Sequence, residues 1–66
     1  MNNQYLVITD AAKCLVLVEK TNSSEVREAT IRKMERFLLS AIEMGHNDRT
    51  IQTLVEMLRT AHQYRF

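Results

Sequence analysis

Residues 22–45 read NSSEVREATIRKMERFLLSAIEMG, and the fold turns on how this stretch is read. Val26, Ile31, Met34, Phe37, Leu38, Ala41 and Ile42 recur at three- and four-residue steps, the apolar face of a 3.6-residue period. Arg27, Glu28, Arg32, Lys33, Glu35, Arg36 and Glu43 fall mostly on the other side. Asn22 suits an N-cap, and Glu25 three residues later suits a capping box that satisfies two orphan backbone donors. Glu28 and Arg32, an acid leading a base at i and i+4, add a few tenths of a kcal/mol. Gly45, the chain's single glycine, stands where the stripe stops and is expected to close the helix in a left-handed conformation. The spacing predicts a helix over 23–44, about 33 Å long at about 1.5 Å per residue.

Downstream, Asn47 or Asp48 can cap a second amphipathic helix over 48–62. Its inward positions are Ile51, Leu54, Val55, Leu58 and either Ala61 or His62. So short a loop makes the two helices antiparallel neighbours. Upstream, Tyr5 to Lys20 admits two readings. As a helix over 10–20 capped by Thr9 or Asp10, it turns Ala11, Cys14, Leu15 and Val18 inward and leaves Val16 and Leu17 outside, so it is apolar nearly all round. As strands, Tyr5–Thr9 and Cys14–Glu19 pair over Asp10–Lys13, since Val, Ile and Tyr favour strands. The expected class is all-α: a helical hairpin or three-helix domain with one long central helix, residues 1–66 as one unit. The alternative is α+β, with an N-terminal β-hairpin and two helices. The expected core is Leu15, Val18, Ile31, Met34, Leu38, Ile42, Ile51, Leu54, Val55 and Leu58.

A chain of 66 residues buries only about 60% of its unfolded surface and commonly needs a staple. One cysteine excludes an internal disulfide, so self-association is the remaining device, with a homodimer as its commonest form. Val16, Leu17, Phe37 and Leu39 exceed what a short hairpin can bury. With Tyr64 and Phe66 they form the expected dimer or partner interface. A formal net charge of +1 neither demands nucleic acid nor excludes it. The longest apolar run, Cys14 to Val18, is far short of a membrane span of about 18 residues. The N-terminus lacks the basic region and cleavage site of a secretory signal, which with a lone thiol suggests the cytoplasm.

No residue pattern points to catalysis or to a metal. His46, His62 and Cys14 stand far apart, whereas zinc takes three or four ligands, usually at paired close spacings. Glu19, Glu25, Glu28, Glu35, Glu43 and Glu56 interleave with basic residues as on a solvated face. One glycine cannot build a phosphate-binding loop. A non-enzymatic protein with no cofactor is expected. Met34, Met44 and Met57 suit either an adaptable groove or a core.

Ala41, Gly45, Ile51 and Leu54 also match the small, turn and core positions of a DNA-binding helix-turn-helix. In that case Asn47, Asp48, Arg49, Gln52 and Thr53 would line a recognition helix, Arg49 reading guanine and Gln52 adenine. His46 stands where that motif usually has an apolar residue, Ser40 where it commonly has a β-branched one, and the chain lacks a basic excess.

Ile42 to Ala61, with Gly45, Asn47 and Ile51-Gln52-Thr53-Leu54-Val55, resembles the helix-loop-helix core of the YmgB/AriR type, small enterobacterial regulators of biofilm and acid resistance. That resemblance implies an all-helical dimer acting through protein contacts in signalling, with no catalytic residue. The expected function is a small regulatory or adaptor protein working by helix-mediated contacts and self-association. The alternative is a dimeric helix-turn-helix regulator.

Overall fold

The protein, described over residues 4–64 in a computed structural model, is built of α1 (Gln4–Lys20), α2 (Ser24–Glu43) and α3 (Asp48–His62). No strand occurs among the described residues, so the β-hairpin alternative for residues 5–19 is set aside. The body measures 36 × 17 × 15 Å, its long axis a little more than the length of α2.

Two buried clusters fix how the helices run. Val18, Ile31, Met34 and Ala61 form the first, with Cys14, Leu15, Met57, Leu58 and Tyr64 packed on it. Ala11, Ala41 and Leu54 form the second, with Val7, Phe37, Leu38, Ile51 and Met57 around it. The start of α2 therefore meets the end of α3, and the end of α2 meets the middle of α3, so the two are antiparallel. α1 runs parallel to α3 in a steady register. Gln4 bonds Asn47 and Thr50, 43 and 46 positions on, and Tyr64 bonds Glu19 across 45. Ala11 opposite Leu54 and Val18 opposite Ala61 keep the same offset. Alanine stands at three of the seven buried apolar positions, which lets the backbones approach while Ile31, Met34 and Leu54 fill the space between.

The ends of the helices follow from local chemistry. Ser23, in extended conformation, caps α2 by accepting from the Val26 N–H at 3.2 Å. Asn22, the expected cap, lies one residue outside. Thr21 Oγ1 accepts from the Ser23 N–H at 3.1 Å and sets the approach. The shift moves Glu25 to the second helical position, so no capping box forms, and Glu25 serves the helix dipole instead. At the other end the Gly45 N–H donates to Ile42 O at 3.1 Å and the His46 N–H to Ala41 O at 3.0 Å. Those two bonds, with Gly45 at φ +72°, are a Schellman closure. Asn47 caps α3, its side chain accepting from the Thr50 N–H at 2.8 Å.

Two further expectations fail against this arrangement. α1 begins by Gln4 and not near residue 10, so Thr9 and Asp10 are interior and cap nothing. Thr9 instead returns its hydroxyl to Tyr5 O at 2.9 Å. Strand-favouring Val7 and Ile8 are held helical from outside, Val7 by packing on the second cluster and the first turn by Gln4. Ile42, assigned to the core, is 52% exposed. Ala41 holds the inward position, and about 100° of helical turn carries Ile42 to the flank, in the last turn before the chain leaves for α3. Leu15, Leu38, Ile51 and Leu58 are half-buried around the clusters, whereas Val55, also assigned to the core, is half-buried but packs on neither cluster.

Candidate interaction surface

Along α1, Leu6, Asp10, Lys13 and Leu17 follow one another at steps of four, three and four residues and so share one edge of the helix. Lys33 and Phe37, four apart on α2, face that edge. Asp10, Lys13, Cys14, Leu17, Lys33 and Phe37 line an open groove of about 520 Å³ between the helices. Its floor is apolar, from Phe37 and Cys14, and its walls carry one acid and two bases. Leu6 and Leu17 are 56% and 45% exposed along the same edge. Burial pushes the Cys14 thiol above its ordinary pKa. Lys33 opposes that rise and Asp10 adds to it, the net direction favouring the neutral thiol.

Of the expected interface residues, the structure brings Leu17 and Phe37 together in this groove. Val16, 48% exposed, lies about 100° around α1 from Leu17, on the other flank. Leu39 is 61% exposed, about 200° around α2 from Phe37, with Glu35 and Glu43 one turn to either side. Tyr64 is half-buried on the first cluster, and its hydroxyl donates to Glu19 Oε2 at 3.3 Å. That carboxylate's charge pushes the Tyr64 pKa up, with desolvation and the hydrogen bond adding to the rise. Phe66 lies outside the described residues.

The residues of the DNA-contacting alternative divide. Arg49 and Gln52 stand on the exposed face of α3, with Glu56, Arg59 and Gln63 in line. Arg59 meets Glu56 at 3.9 Å. Asn47 is engaged in capping α3, and its N–H donates to Gln4 Oε1 at 2.9 Å. Thr53 returns its hydroxyl to Arg49 O at 2.8 Å.

Cys14, His46 and His62 do not converge. Cys14 is in the α1–α2 groove, and His46 is in the α2–α3 turn with Nε2 enclosed and unpartnered. His62 Nε2 stands 3.6 Å from Glu35 Oε2. Among the described residues, no three His, Cys, Asp or Glu side chains come together to hold a metal ion, and no helix is long and apolar enough to cross a membrane.

Sequence reasoning missed Leu6, Asp10, Lys13 and Lys33 as members of a surface, because it began α1 too late. The signal was present: Leu6 and Leu17 are eleven residues apart, about three helical turns. It also placed Arg27 on the solvated face. Arg27 folds back on the end of α1, donating from Nη2 to Thr21 O at 2.8 Å and from Nε to Val18 O at 3.5 Å, where a cation suits a helix C-terminus. Compared with protein-family models, curated proteins and solved structures, the chain finds no match.

Proposed function

We propose that the protein is a small non-enzymatic regulatory or adaptor protein of the cytoplasm that self-associates and docks a protein partner through its helical faces. One observation carries this. Large apolar side chains stay exposed on a domain too small to leave them so at no cost, with Leu6 and Leu17 along the α1–α2 groove and Leu39 and Ile42 on α2 away from it. Two separate apolar faces suit a protein that joins a copy of itself by one and a different protein by the other. The likeness of residues 42–61 to the YmgB/AriR type adds an expectation of bacterial signalling.

DNA reading through Arg49 and Gln52 has less support. A helix-turn-helix sets its helices at about 90–120°, whereas α3 lies antiparallel along α2, and the face it presents alternates bases with Glu56. Sedimentation equilibrium across the micromolar range, paired with a mobility-shift assay on mixed duplex DNA at low and moderate salt, tests the choice. Self-association without a shift supports the adaptor. DNA binding that collapses with salt and with Arg49→Ala, whether or not the chain self-associates, overturns it.

A further inference from the structure

The order of residues along the exposed edge of α1 is its own complement. Leu6, Asp10, Lys13 and Leu17 are symmetric about the point between Ala11 and Ala12: apolar, acid, base, apolar. A twofold axis through that point, perpendicular to the helix, lays α1 of a second copy antiparallel along the first. Leu6 then falls opposite Leu17 of the copy, and Asp10 opposite Lys13, each pairing occurring twice. Isologous association requires this kind of self-matching surface, in which residue i meets j and j meets i. A surface that was merely apolar would not specify a register, and one that set like charges opposite each other would forbid it.

We infer that the α1–α2 groove binds a second copy of this chain through an antiparallel, twofold α1–α1 contact centred between Ala11 and Ala12. This rests on the self-association proposed above and names the surface that carries it. Three features support a second copy as the occupant. Charge is complementary in this one register, with Asp10 facing Lys13 on both sides of the axis. Among the described residues neither Asp10 nor Lys13 is held in an ion pair within the chain, so both remain available. The two leucines at the ends of the stripe are about half exposed in the single chain and would cover each other. Phe37 and Cys14 form the floor beneath, and Leu39, on the outer side of α2, is left clear for another protein.

The register also predicts that Cys14 does not bridge two copies. Each Cys14 lies 2.5 residues from the axis, so the pair is separated by about 7.5 Å along the helices as well as by the interhelical distance of about 8–10 Å. A disulfide needs Cα atoms within about 7 Å.

The test uses two exposed single substitutions of the full chain, Asp10→Lys and Lys13→Asp. Each leaves like charges facing across the axis, and each is expected to weaken self-association about tenfold or more, with helix content by circular dichroism unchanged. Mixed in equal amounts they should form a heterodimer nearly as tight as the parent, because every acid at positions 10 and 13 then faces a base. Ion pairing within one chain predicts no such recovery. If the parent self-associates but the mixture is no better than either variant alone, the α1 register is wrong while self-association stands. The register is equally overturned if Leu39→Glu dissociates the parent and the α1 variants do not. A parent that sediments as a monomer at high micromolar concentration overturns both.

Discussion

Ser23 and Asn47 cap α2 and α3 from their own segments, and Gly45 closes α2 with backbone bonds between residues close in the chain. α1 is finished by its neighbours. Arg27 of α2 takes two carbonyls at its C-terminal end, and Gln4 in its first turn is fastened to the start of α3. The hairpin is thus locally specified and α1 tertiarily specified. Damage to local devices should cost what those devices are worth in any protein. Damage to α1 should depend on whether the hairpin stands ready to receive it.

The largest effect expected falls on the core both regions share. Ile31 is 2% exposed and belongs to the cluster joining all three helices. Ile31→Ala should cost about 2–4 kcal/mol, close to the whole margin of about 3–5 kcal/mol for a domain this small. Urea denaturation should find the variant's midpoint close to zero denaturant. Ile42→Ala, on the flank of the same helix, should stay within about 1 kcal/mol. Equal losses at the two sites would mean that Ile42 is covered in solution.

Next comes the turn of the hairpin. An added β-carbon at Gly45 meets nothing within 4 Å, so the cost of Gly45→Val is the left-handed backbone itself, about 1–2 kcal/mol or more. Gly45→Asn should recover much of it, since asparagine tolerates that conformation. A thermal midpoint for Gly45→Val equal to the parent's would show that α2 does not end there, and the hairpin would fall with it.

The caps sharpen the contrast further. Ser23→Ala should lose about 1 kcal/mol and Asn22→Ala close to nothing, the reverse of what the sequence suggests. Gln4→Ala removes the acceptor for the Asn47 N–H and the buried Thr50 hydroxyl, and should cost about 1 kcal/mol although Gln4 is a polar residue near the chain's start. If Gln4→Ala is silent, α1 is held by apolar packing alone.

The smallest effect concerns pH. The Tyr64 pKa is raised in the folded protein, so the folded state holds that proton more tightly than the unfolded one. Its contribution is fully present below the ordinary tyrosine pKa of about 10 and is lost as pH rises through the raised value. Tyr64→Phe should lower the melting temperature slightly at neutral pH, where the contribution is present, and the two profiles should converge as pH rises through the raised value. A Tyr64→Phe profile parallel to the parent's from neutral to alkaline pH would show that the Glu19 contact does not form in solution.

Legibility in the sequence follows the same division. α2 and α3 could be read because each carries a 3.6-residue stripe with its cap and stop beside it. Asn22 and Ser23 are both competent caps, and only the Thr21 hydroxyl's hold on the Ser23 N–H separates them. The start of α1 was hidden because Val7, Ile8 and Thr9 favour strands locally, while the groups that hold them helical arrive more than thirty residues later. For the groove, Leu17 and Phe37 showed as surplus apolar residues. Leu6, Asp10, Lys13 and Lys33 acquire meaning only once α1 is extended and set beside α2.

Gln4 also bears on the order in which the chain is made. In a capping box the N-cap N–H is accepted by a side chain three residues on; here Gln4, 43 positions upstream, accepts it for α3. During synthesis α1 leaves the ribosome before its parallel partners, which lie 43 to 46 positions further along, from Asn47 to Tyr64. Its apolar stripe must wait for α2 and then α3 to be added. Throughout that interval the nascent chain presents Val7, Ala11, Leu15 and Val18 to whatever chaperone or neighbouring copy is at hand.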